Sequence, residues 1–159
     1  MAGKLLALGI AGCSAYSVRL GAAPASVDAA QDAGLARLCV VRKTAIGAAL
    51  TTPVRDNGLT VGATAGPSWF CWHAGPGLHT LTTEVSDAPA LELDVLAGEE
   101  RLIEHRVNIG QDQLIDRGDA EPSAPAVAAA ELGATRYATL DGMNETATAP
   151  VLVVPGLKR

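Results

Sequence analysis

The side chains of this chain that could do chemistry gather in Ser68-Trp69-Phe70-Cys71-Trp72-His73, followed past a Gly75-Pro76-Gly77 turn by His79. Cys71, His73 and His79 are of types that ligate zinc or copper, and a hairpin would bring them together. One residue separates Cys71 from His73 and five separate His73 from His79, which is not a standard ligand spacing. No fourth ligand stands nearby, and neither His105 nor any acid is placed beside them, so no metal is expected. His79 is read instead as capping the Pro-Gly turn or packing on a strand. A Cys/His pair near an acid is also the equipment of thiol hydrolases. Here, however, the Cys falls in mid-strand, no loop looks long enough to build a pocket, and no GxSxG, P-loop or GxGxxG spacing occurs. No catalytic residue and no cofactor are therefore expected.

A third chemistry is an aromatic platform for sugar rings or apolar partner groups. Trp69 and Trp72 have opposite parity, so on a strand they point to opposite faces. With Phe70 and Trp72 in the core, Trp69 faces outward with Cys71 and His73. Trp69 is then the candidate contact residue, either open to a partner or covered by the chain's own tether or helix.

These residues need a scaffold, and the composition says what kind. The chain has 159 residues, 48% hydrophobic but only 3% aromatic, enough for one domain with a core of small side chains. Seventeen acids against twelve bases give a net charge of −5, with no basic cluster. Nucleic-acid binding needs a cationic surface to neutralise phosphates, and is excluded as an expectation.

The first residues, MAGKLLALGIAGC, place Lys4 before the apolar run Leu5–Ile10 and the small pair Ala11-Gly12 before Cys13. This reads as a signal peptide over residues 1–12, and Ile10-Ala11-Gly12-Cys13 resembles a bacterial lipobox whose Cys13 would carry lipid. The other reading is a buried first strand or helix with an incidental Cys. Residues 13–34, rich in Ala, Ser and Gly, read as a flexible tether reaching about 25 Å from the membrane. Ser14 after the Cys allows outer-membrane sorting. With Cys13 lipidated, Cys39 and Cys71 remain in a compartment that permits disulfides. They share outward parity if Leu38 and Val40 face the core with Phe70 and Trp72. Adjacent strands would allow a bridge; otherwise both are small buried thiols.

From residue 35 the pattern becomes short alternating runs between turns. Ala36–Arg42, a Thr52–Gly62 hairpin turning at Asn57-Gly58, the Ser68–His73 strand, Leu78–Val85, Leu91–Gly98 and Arg101–Ile109 follow in order. The expectation is a mainly β fold: an antiparallel β-sandwich of about six to seven strands over residues 35–134, with one short C-terminal helix, Ala126–Leu132. Residues 135–159 read as a tail in which Val151–Val154 adds an edge strand.

The order of features carries a resemblance. Asp56-Asn57-Gly58, Trp69-Phe70, Pro76-Gly77-Leu78-His79-Thr80 and Leu96-Ala97-Gly98, behind a lipobox and tether, resemble the bacterial lipoprotein family catalogued as domain of unknown function 2846, over roughly residues 35–132. The resemblance implies a fold and a location rather than a reaction. The chain is thus expected to be a periplasm-facing envelope lipoprotein, held in the membrane through Cys13. Its expected role is that of a structural or protein-interaction module with an envelope partner. The alternative is a small-ligand or glycan binder using the outward face of the Trp69 strand. A concave pocket with convergent polar groups would favour the binder; a flat apolar patch or free sheet edge would favour the module.

Overall fold

A computed structural model of the chain describes residues 16–27, 33–85, 87–119, 125–141 and 153–158. The expected signal segment 1–12 and the lipid-bearing Cys13 lie outside the described residues, as do residues 14–15 and 28–32 of the expected tether.

The described residues form a mainly β protein with two sheets. Its strands are β1 (Val18–Gly21), β2 (Ala36–Arg42), β3 (Thr52–Asp56), β4 (Leu59–Thr64), β5 (Ser68–Ala74), β6 (Gly77–Thr83), β7 (Leu91–Val95), β8 (Glu100–Asn108), β9 (Gln111–Asp119), β10 (Tyr137–Leu140) and β11 (Val153–Val154), with one helix α1 (Pro125–Glu131) between β9 and β10. The larger sheet runs β1-β10-β5-β2-β8-β9, with β11 also paired to β5; the smaller runs β4-β3-β6-β7. Strand β4 lies against β5 and β10, and β9 against β6 and β7, so the sheets face each other.

Local sequence explains the hairpin between β3 and β4. Asn57 and Gly58 take φ of 48° and 83°, the two positive values a type I′ turn needs. Parity explains β2 and β5, which pair antiparallel with Leu38 opposite Trp72 and Val40 opposite Phe70. These four enter the core with Val54, Leu81, Leu93 and Val95 of the smaller sheet. The sheets approach so closely at Gly62 that a Cβ there would sit 2.4 Å from the Phe70 ring. Helix α1 opens on Pro125, where a missing N–H is harmless, and stops at Gly133 with φ 84°.

Four expectations need correction. The larger sheet is mixed, because β2 pairs parallel with β8 and β5 parallel with β10 and β11. Strand β5 and strand β6 do not form a hairpin: the Gly75-Pro76 turn carries the chain from one sheet to the other. Part of the expected tether, 13–34, is structured, since Val18–Gly21 pairs with β10 and Ala25–Val27 forms a 3₁₀ turn. Nor is 135–159 simply a tail after the domain. Tyr137–Leu140 lies between β1 and β5, while Val153–Val154 adds a short strand parallel to β5.

Candidate functional site

The expected chemistry stretch is absorbed by the fold. Cys39 and Cys71 stand directly opposite in the β2–β5 register and are joined by a disulfide, which takes Cys71 out of any ligand set. His73 lies on the same strand, while His79 belongs to the other sheet, so the three are not brought together. No group of three or more His, Cys, Asp or Glu fit to hold a metal occurs among the described residues. Trp69 does face away from Phe70 and Trp72, but it is only 2% exposed. Tyr137 of β10 covers it edge-on, with ring centroids 4.9 Å apart, and the Trp69 N–H donates to the carbonyl of Arg136. The expected contact residue is therefore buried, covered by the segment read as a tail. Burial holds the Tyr137 phenol above its ordinary pKa.

Two polar rows cross between the sheets instead. Near the β3–β4 turn, Asp56 accepts from Trp72 Nε1 at 2.9 Å and lies 2.8 Å from His79 Nδ1. His79 Nε2 donates to the Gly75 carbonyl at 2.7 Å, so the ring does cap the Pro-Gly turn. Asp56 and His79 are fully buried. Burial lowers the His79 pKa, but the bonds to Asp56 and Gly75 and the Asp56 charge outweigh it, and the net shift is upward. A ring facing a carboxylate on one side and a carbonyl on the other needs a hydrogen on both nitrogens, which an imidazolium supplies.

Toward the opposite end of the sheets, the Thr64 hydroxyl lies 2.8 Å from His105 Nδ1, and His105 Nε2 lies 3.1 Å from Asp112 Oδ1. Hydroxyl, imidazole and carboxylate in a row is the order of a nucleophilic triad. Here Thr64 and His105 are fully buried, so no substrate reaches the hydroxyl. Burial raises the Asp112 pKa, yet the His105 bond and the charges of His105 and Arg42 take it below the ordinary carboxylate range.

Asp112 also lines a cavity of about 620 Å³ at that end. The loop after β2, the loop after β6 and the β8–β9 turn meet there, contributing Gly47 and Leu50, Val85 and Asp87, and Gly110 respectively. The expectation that no loop could build a pocket is overturned: three short connections converge where none alone is long. Their tips are apolar, with Ile46, Leu50, Val85 and Ile109 all exposed, Ile109 at 93%. Behind this rim lies Arg42, the last residue of β2, fully buried. Its Nη2 donates to the Ile46 carbonyl at 2.5 Å and Nη1 to Leu50 at 3.5 Å, so the guanidinium ties down the loop above it. Its Nε–H is buried without a partner. Desolvation lowers the Arg42 pKa, offset in part by the Asp112 charge.

Neither Arg42 nor the cavity was foreseen. An Arg at the end of a strand reads as the strand's solvated end, and the hint was the apolar pair Ile46 and Leu50 in the loop that follows. No family model matches this chain, and no curated protein or solved structure is significantly similar to it.

Proposed function

We propose that the chain is an envelope lipoprotein whose domain, a disulfide-stapled β-sandwich, binds a small ligand at its open loop end and performs no catalysis. The cavity behind the apolar rim, with Arg42, Asp112, Gln113 and Thr52 on its walls, carries this reading. Its volume falls in the usual range of small-ligand pockets, roughly 300–1,000 Å³. The burial of Thr64 and His105 argues against a hydrolase. The burial of Trp69 moves the binding face from the β5 strand to the loops. The export half of the proposal rests on Ile10-Ala11-Gly12-Cys13, on the resemblance in turn order to the domain of unknown function 2846 family, and on a disulfide that suits an oxidising compartment.

Native mass spectrometry of the protein gently extracted from envelopes tests both halves. The expected result is a chain beginning at a lipid-modified Cys13 that carries a non-covalent small-molecule adduct, lost in Ala88→Trp, which would fill the cavity. A chain retaining Met1 would overturn the anchoring. No adduct, or one that persists in a folded Ala88→Trp protein, would overturn the binding site.

A further inference from the structure

On the reading that Cys13 carries the lipid anchor, the fold fixes how the domain meets the membrane. Only Ser14 and Ala15 separate Cys13 from Tyr16, and so short a stretch spans about 10 Å at most when fully extended. From Tyr16 onward the chain is held by the domain. Arg55 Nη2 lies 3.5 Å from the Tyr16 hydroxyl, the Ser17 hydroxyl donates to Asp141, and Arg19 Nε donates to Asp141 Oδ1 at 3.0 Å. Val18–Gly21 then pairs with β10. The anchor is therefore tied close to the body of the domain.

Its position along the strands is also set. Arg55 precedes Asp56, which ends β3 at the Asn57-Gly58 turn and stands opposite Leu59. Val18 stands opposite Leu140, the last residue of β10, and β10 runs parallel to β5 toward the Gly75-Pro76 turn. The chain thus enters at the end of the sheets that carries these two turns. The cavity is at the other end. Glu100 is level with Arg37 at the start of β2, and the 9 residues of β8 run about 30 Å from there to the β8–β9 turn on the cavity rim. An anchor with about 10 Å of reach cannot turn that rim to face the bilayer.

Both ends carry exposed apolar tips, and the anchor decides between them. At the turn end these are Leu59 on β4, Leu96 just after β7, and Leu157 on the segment bonded to Leu78. Apolar side chains beside an acyl anchor add contact with the boundary between headgroups and acyl chains. We infer that the domain stands on the bilayer by its turn end, with Leu59, Leu96 and Leu157 against the lipid. The cavity then opens on the far side and is filled from the aqueous phase.

A bimane label placed singly in Leu59→Cys, Leu96→Cys, Leu50→Cys and Ile109→Cys of the envelope-extracted protein reads this orientation. The vesicles are of phosphatidylethanolamine and phosphatidylglycerol with a nitroxide-headgroup lipid, which quenches only near contact. Labels at Leu59 and Leu96 should lose emission on reconstitution, while those at Leu50 and Ile109 keep theirs. Quenching at Leu50 and Ile109 alone would overturn the orientation, and equal quenching at all four would mean a domain lying on its side. Flotation of the same vesicles separates this result from the anchoring. Protein that floats with no label quenched keeps the anchor but refutes the contact. Protein that does not float removes the anchor, and the orientation with it.

Discussion

Asp56 is the single acceptor for two buried donors from different strands, and its loss should be among the most damaging single changes in the domain. In Asp56→Ala, Trp72 Nε1–H and His79 Nδ1–H both lose their partner inside the core. Each unsatisfied buried donor costs about 1–3 kcal/mol, so the expected loss is about 2–6 kcal/mol, a large share of a small domain's total. Asp56→Asn behaves differently. Its amide oxygen still accepts from Trp72, and its NH₂ donates to Nδ1 of a neutral His79 that keeps its Nε2–H on Gly75. The loss should be smaller, and the pH dependence should change sign. In the native protein the His79 pKa is raised above 6.5 by folding, so its stabilisation is fully present below pH 6.5 and is lost as pH rises through the higher folded value. In Asp56→Asn the raising partner is gone and burial dominates, so stability should instead fall as the medium turns acid. Urea unfolding followed by tryptophan fluorescence between pH 5.5 and 8.5 measures both effects. A loss below 1 kcal/mol in Asp56→Ala, or an unchanged pH slope in Asp56→Asn, would refute the reasoning.

Gly62→Ala should destabilise by about 1–3 kcal/mol, because its Cβ meets the buried Phe70 ring at 2.4 Å and the ring must shift; chemical denaturation gives the value. Cys39→Ala with Cys71→Ala opens a loop closed at a separation of 32 residues, for an expected loss of about 3–4 kcal/mol in a chain-entropy account. Thiol titration of the unfolded, unreduced wild type should find neither Cys39 nor Cys71 reactive. Gly58→Val, at φ 83°, should lower the melting temperature, since a β-branched residue resists left-handed backbone. On the acid side, Asp112 and Glu104 have folded pKa values below their ordinary ones, so the stability they contribute is present above that range and disappears as pH falls through it. Replacing Lys43 by Met removes the nearest of the cations that pair with Glu104, at 3.0 Å, and should move the acid unfolding midpoint upward.

Period-two alternation made the central strands legible. Ala36–Arg42 and the Asn57-Gly58 hairpin fall where parity and turn chemistry put them, and the same parity put Cys39 and Cys71 on one face. What escaped was everything decided at long range. Trp69 was assigned the correct face of β5, but its cover is Tyr137, which stands 68 positions away in a four-residue strand too short to signal itself. Strand β9 escaped because Gln111–Asp119 is largely polar and, as an edge, sends only Leu114 into the apolar core. The Gly75-Pro76 turn looks the same whether it returns within a sheet or crosses to the next one.

The same distinction explains why the candidate site lies where motif reading did not look. Motifs point to reactive residue types, and here nearly all of these are spent on holding the fold together: the disulfide between β2 and β5 of the larger sheet, and the Trp72–Asp56–His79 and Thr64–His105–Asp112 rows between the sheets. The turn end is then closed by the chain's last described residues. Gly75 N–H donates to the Val154 carbonyl, Leu78 and Leu157 exchange both backbone bonds, and Asn57 Nδ2 reaches the Pro155 carbonyl. Gly156 is pressed so close that a Cβ would fall 2.3 Å from the Pro76 carbonyl oxygen, which leaves no room for a ligand. No such strap lies over the loop end among the described residues. What remains there is a guanidinium with one unspent donor under four exposed apolar tips. With the turn end filled by the chain's own backbone, the loop end is where space for a ligand is left, and the proposed site lies there.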